Sequence, residues 1–153
     1  MSITIKSNVN ATIDEVNRRI EMALEACGLK AEGYAKLELE TAPRRIDTGL
    51  LRNSITHGLD GNSTAITSYS ADKPSKYNGE TPPPGNYSGT LPDEQNKDRT
   101  SVFIGSNVEY APYVHEGFKL PSGASVPPNR FLKKAIERHT AENKAIMEHF
   151  LSD

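Results

Sequence analysis

Few stretches of this 153-residue chain combine residue types and spacing in a way that chemistry could use. Asp47-Thr48-Gly49 is the first. An aspartate in such a turn serves hydrolysis when a second copy brings another aspartate close enough to share one proton. A dimer would supply that copy, so a small dimeric Asp-Thr-Gly-type aspartic hydrolase is the enzymatic alternative. The surroundings speak against it. Charged Arg44 and Arg45 precede Asp47 instead of an apolar strand, and two long helical patterns flank the centre of the chain. His57, His115, His139 and His149 form no His-x-x-x-His pair, whereas a zinc site needs at least three convergent ligands. His115 and Glu116 are adjacent, so in a strand they would point to opposite faces. Ser54 sits in no Gly-x-Ser-x-Gly elbow. Cys27 falls within a helical pattern and reads as a small buried apolar residue. Gly79, Gly85 and Gly89 are interleaved with prolines and lack the strand-to-helix context of a phosphate cradle. The residues therefore predict no catalytic group, no metal site and no cofactor.

The bulk properties favour a single domain over residues 1–153. The apolar fraction is 35% and the mean hydropathy is -0.60, polar even for a soluble protein. Such a surplus fits an extended shape, a solvated loop, or surface covered on assembly. The net charge of -2 lacks the basic excess of a phosphate-tracking nucleic-acid binder, although Arg44, Arg45 and Arg52 could form a local basic patch. No secretory or membrane-spanning apolar run is evident, so a reducing cytoplasm is the expected place of synthesis.

The elements that would position these residues follow from periodicity. Ser2 to Val9 alternates weakly, as a short leading strand. Thr12 to Glu15 has capping-box spacing. Ile13, Val16, Ile20, Leu24, Cys27, Ala31 and Tyr34 then form one helical stripe, crossed by Gly28 and Gly33 and ended by Pro43. Asp47 or Thr48 can cap a helical turn through Leu50, Leu51 and Arg52. Ser54 to Leu59 and Ser63 to Tyr69 read as a hairpin about Asp60-Gly61-Asn62. Ser101 to Ser106 is apolar enough to be a central strand. Tyr110 and Tyr113 flank a proline turn, and a last helix runs from a cap at Asn129 to about Phe150, carrying Phe131. Residues 70–100, rich in Pro, Gly and polar residues, read as an exposed flexible arm with Tyr77 and Tyr87 as contact points. The fold class is α+β: a small antiparallel or mixed sheet packed by a long N-terminal and a C-terminal helix, with a long exposed loop.

Three signatures recur in order: Asp47-Thr48-Gly49-Leu50-Leu51-Arg52-Asn53-Ser54-Ile55, Tyr110 to Gly117, and Pro127 to Ala135. Together they resemble the tail-component family of long-tailed, lambdoid-type bacteriophages and prophages, the head-tail joining or tail-completion proteins of the neck. The chain departs from that pattern at His115, where the family often has an acid; here the acid is Glu116. Residues 70–100 are also longer than the family leads one to expect. The resemblance implies a non-enzymatic virion protein, assembled in the host cytoplasm into a homo-oligomeric ring, possibly a hexamer. Its partners would be the head-tail connector, the tail terminator or tail-tube proteins, with no membrane and no sequence-specific nucleic acid. Asp47, Thr48, Gly49, Leu51, Tyr110, Tyr113, Glu116, Gly117 and Phe131 are then the structural and interface candidates.

Overall fold

The computed structural model describes residues 8–41, 45–59, 64–87 and 101–152. Its spine is α1 (Val9–Glu40), 32 residues without a break and about 48 Å long at 1.5 Å per residue. The expected leading strand lies outside the described residues except at its end, where Val9 already begins the helix. Because the helix starts this early, no capping box forms at Thr12. Its hydroxyl donates to the Asn8 carbonyl (3.2 Å), and Glu15 pairs with Arg18 and Arg19 (2.9 Å each). Those two guanidiniums hold the Glu15 carboxyl down at about 2.

The buried seam of α1 runs through Ala23, Cys27, Ala31, Ala35 and Leu39 at i, i+4 spacing. Most are small, so other elements approach closely. Near the N-terminus the stripe is left uncovered, with Val9, Ile13 and Val16 all exposed.

Strands β1 (Thr56–Leu59) and β4 (Val102–Gly105) pair antiparallel, Thr56 opposite Gly105 and Leu59 opposite Val102. The hairpin expected from Ser54 to Tyr69 is not the observed pairing. Its turn at 60–63 lies outside the described residues, and among the described residues beyond it two bonds reach β1, from Ala65 N to His57 O (2.8 Å) and from Ile66 N to Thr56 Oγ1 (3.1 Å). β2 (Ser68–Tyr69) instead pairs with β3 (Gly85–Asn86). β4 is likewise not central: among the described residues it has one strand neighbour, and Phe103 remains 38% exposed. A third ladder joins β5 (Phe118–Lys119) to β6 (Ser125–Val126). The architecture is α+β as expected, with three two-stranded antiparallel ladders among the described residues in place of one sheet.

The β1–β4 ladder rests on α1 at Gly28. A Cβ there would lie 2.6 Å from Val102 Cγ2 and 2.7 Å from His57 Cδ2, so the close approach depends on the missing side chain. Beside it, His57 is buried between two helix carboxylates, Nδ1 bonding Glu32 Oε2 (2.6 Å) and Nε2 bonding Glu25 Oε1 (3.0 Å). Both ring nitrogens face carboxylate oxygens, a setting that favours the doubly protonated imidazolium. The Glu32 bond raises the His57 pKa above its ordinary value against the opposing effect of burial, and Glu25 adds to the rise. Burial pushes the Glu32 carboxyl up, but bonds from His57 and Lys36 outweigh it and hold the carboxyl below its usual range.

The expected single C-terminal helix is two. α4 (Phe131–Glu137) turns Phe131 and Ala135 into the core, and α5 (Thr140–Leu151) lies antiparallel along α1. The break falls at Arg138–His139, where the apolar pattern lapses. The His139 ring stacks on Tyr34 (centroids 3.3 Å, 3°), and the Tyr34 hydroxyl donates to Glu142. Asn129, expected as the cap, is instead buried, donating to the Glu38 carbonyl (3.4 Å) while Arg130 takes the left-handed conformation (φ 56°).

Two predictions rest on the α1–ladder contact. A raised His57 pKa contributes stability that is complete below its unfolded value of about 6.5 and is lost as pH rises through the folded value. The depressed Glu32 contributes above its unfolded value of about 4.3 and fades as pH falls. The melting temperature should therefore plateau between about pH 5 and 6.5 and decline on the alkaline side; His57→Gln should remove that decline and cost roughly 3 kcal/mol near pH 6. Helix-interior Gly→Ala normally gains up to about 1 kcal/mol, and Gly33→Ala should, with nothing near its Cβ. Gly28→Ala should instead destabilise by roughly 1–3 kcal/mol through overpacking. Equal thermal shifts for the two variants would refute the close contact.

Candidate functional site

The three signatures meet in one place. Leu50, Leu51 and Ile55 from the first, Val108 and Ala111 from the segment around Tyr110, and Phe131 and Ala135 from the third pack with Ala35 and Leu39 of α1 in one buried cluster. Phe131 is its centre, 1% exposed, and its burial is worth roughly 2–3 kcal/mol. Leu51 lies in α2 (Leu50–Ser54). Gly49 precedes α2 at φ 86°, a left-handed geometry that favours glycine, with the Asp72 carboxylate where a Cβ would stand.

The polar groups of the first signature face a different target, residues 70–87. Asp47 does not cap α2. Its Oδ2 accepts from Ser75 Oγ (2.5 Å) and its Oδ1 from the Lys76 amide (3.1 Å). These bonds, the Ser75 one first, hold its carboxyl below the usual range. Thr48 is the residue that serves α2, its hydroxyl accepting from the Leu50 amide (3.3 Å), while its carbonyl accepts from the Asp72 amide (2.8 Å). Arg52 bridges Glu40 (2.8 Å) and Asp72 (2.7 Å). Asn53 donates to Ser70 O (2.9 Å) and Asp72 Oδ1 (2.8 Å). The carbonyl of Ser54 accepts from the Tyr87 hydroxyl. The segment is thus a clamp.

Tyr87, expected to reach outward as an arm contact, is instead an inward anchor. Its hydroxyl also accepts from the Asn107 amide (3.2 Å), and burial raises its pKa. Tyr69 donates to Asn107 Oδ1 (2.5 Å) and covers Gly85, its cross-strand partner. The half of the arm up to residue 87 is therefore a docked limb, though most of its residues are exposed; residues 88–100 lie outside the described ones. Tyr77 does face outward, 80% exposed, with Lys76 Nζ 4.8 Å from its ring centroid.

The second signature forms α3 (Ala111–Glu116), with Pro112 in its first turn. Tyr113 is 60% exposed and edge-on to Phe118 (6.5 Å, 82°), so it does not pack the turn inward. Tyr110 remains 42% exposed, beside the limb. Glu116 bonds its neighbour His115 (2.7 Å) and, among the described residues, no farther partner. Gly117 ends α3 at φ 78°, where a Cβ would meet the Val126 carbonyl at 2.5 Å.

The structure thus brings Asp47, Thr48, Gly49 and Leu51 together with Tyr110 at the foot of the limb, buries Phe131, and leaves Tyr113, Glu116 and Tyr77 on the surface. The sequence reading missed Asp72, Ser75 and Asn107. All three are isolated small polar residues in irregular chain, and no periodicity marks them. Among the described residues no group of three or more His, Cys, Asp or Glu could hold a metal ion, and no helix is long and apolar enough to cross a membrane. Comparison with known proteins finds no family model, no curated protein and no solved structure that matches the chain.

If Asp47 is the limb's principal fastening, Asp47→Ala should speed proteolytic cleavage between residues 73 and 84 while leaving the core's melting transition in place. Tyr87→Phe should lower global stability by about 1 kcal/mol, the usual cost of stranding a carbonyl and an amide. Unchanged cleavage in Asp47→Ala would show that the limb does not depend on this carboxylate.

Proposed function

We propose that this chain is a non-enzymatic assembly protein of a bacteriophage neck or tail, a tail-completion or head-tail joining component. It acts as an oligomeric ring, possibly a hexamer, that docks on connector, tail-terminator or tail-tube proteins within the virion. The observation that carries the reading is the convergence of the three ordered signatures on one core, with the first of them fastening a long surface limb. Residues carrying a family signature here build a scaffold and present an appendage, as an assembly protein requires. Ring closure needs a patch on one copy to meet a different patch on the next. The limb and the uncovered stripe of Val9, Ile13 and Val16 on α1 offer two unlike surfaces for this.

The hydrolase alternative would have Asp47 face a second copy's Asp47 and share a proton with it. Here both carboxylate oxygens of Asp47 accept hydrogen bonds, from Ser75 and from the Lys76 amide, an arrangement that favours the ionised form over a shared proton. Deletion decides the matter. Electron microscopy of particles produced without this protein should show separate filled heads and finished tails, and normal tailed particles would overturn the assignment.

A further inference from the structure

Between the Asp47–Gly49 turn and the limb lies a cleft of about 480 Å³. One wall is apolar, formed by Leu51, Ile46, Tyr110 and the prolines Pro82 and Pro83. The prolines restrict the local backbone of that wall to extended conformations. Four charged side chains line the cleft, and two are already answered: Arg52 by Glu40 and Asp72, Asp47 by Ser75 and the Lys76 amide.

The other two are not. Arg45 uses Nη2 on the Pro127 carbonyl (3.1 Å), its Nε is buried without a partner, and no carboxylate among the described residues pairs with it. Among the described residues, the Glu80 carboxylate receives one long bond from Asn78 Nδ2 (3.3 Å) and no cation. Opposite charges therefore line one concavity without meeting each other. Concave low-dielectric walls strengthen the field of such groups, and a buried guanidinium N–H lacking an acceptor is relieved by any acceptor that draws it round.

We propose that this cleft binds an extended peptide segment of a partner protein, its acidic side chain on Arg45, its basic side chain on Glu80, and an apolar residue between them against Pro82, Pro83 and Tyr110. The assignment deepens the assembly reading by giving one contact surface its chemistry, and it rests on that reading in taking a protein as the occupant. A small anion would satisfy Arg45 alone, and an apolar helix would leave both charges stranded.

Blocked tripeptides test it by NMR titration of the full chain, first N-acetyl-Asp-Leu-Lys-amide, the same residues in reverse order, and neutral N-acetyl-Asn-Leu-Gln-amide. One charged order should shift amides at 45–49 and 78–81 and bind at least about fivefold tighter than the neutral peptide, as charge-assisted bonds allow. Arg45→Gln should remove the advantage. Glu80 is exposed and its side chain accepts only the long bond from Asn78 among the described residues, so Glu80→Lys should keep the fold and invert the preference, favouring a fourth peptide, N-acetyl-Asp-Leu-Glu-amide, over Asp-Leu-Lys in the same order. Equal binding of charged and neutral peptides, shifts confined to other surfaces, or no inversion in Glu80→Lys would overturn the proposal. Separated heads and tails in the deletion, together with equal peptide binding, would retain the assembly reading and remove this one.

Discussion

The contact between α1 and the β1–β4 ladder sets the geometry of the rest. Two strands of four residues are not stable by themselves, so this ladder exists only because it lies on the helix. It lies close because Gly28 has no side chain, and it is held in register because His57 is wedged between Glu25 and Glu32. An imidazolium with a carboxylate on each nitrogen can occupy few positions. Once Thr56 to Leu59 is placed, the residues just before it, Ile55 and α2, are carried under the C-terminal half of α1. There Leu50 and Leu51 meet Ala35 and Leu39.

The core that results is thin for a chain of this length. Two of its members are alanines of α1 and α4 and another is Ala111, so Phe131, Ile55 and the leucines provide most of the buried volume. Polar interactions do much of the positioning around it. Glu38 takes Arg138 at 2.5 Å and its carbonyl takes Asn129, tying α4 to the end of α1. Isolated surface ion pairs are worth little, about 0–1 kcal/mol. The Arg52, Asn53 and Asp72 group therefore acts less as a source of stability than as a determinant of where the limb sits.

How much of this was legible in the sequence follows from which forces left a periodic trace. α1 and α5 carry helical spacing and the α+β class was readable from them. The strand at Val102 was visible as an apolar run, but its partner was not, because pairing depends on what lies on the other face and here that is α1. The capping box at Thr12 and the cap at Asn129 were locally sound patterns overridden by tertiary contacts: the helix extends back to Val9, and Asn129 is more useful buried against Glu38. Asp47 illustrates the same point at the site. Asp-Thr-Gly before a short helix is cap chemistry, yet the carboxylate serves Ser75 and Lys76, 28 and 29 residues away, and no local rule reaches that far. The clamp was invisible because its other half lies in a proline-rich segment with no pattern.

The limb's attachment is polar and mostly near the surface, while the core's is apolar and buried, and the two kinds of contact fail at different free energies. Local opening of a segment held by a few accessible hydrogen bonds is easier than global unfolding. Residues 70–87 can then be released or re-seated without disturbing the cluster about Phe131, since within them Ala71 packs against that cluster and Tyr87 is tied to the Ser54 carbonyl. Pro82 and Pro83 keep the released segment extended, which lowers the entropy lost when it docks again. A wall of the Arg45–Glu80 cleft is therefore built from the part of the chain that opens first. An occupant that binds only the closed limb would stabilise it by RT ln(1 + [L]/Kd), so occupancy and limb closure are coupled.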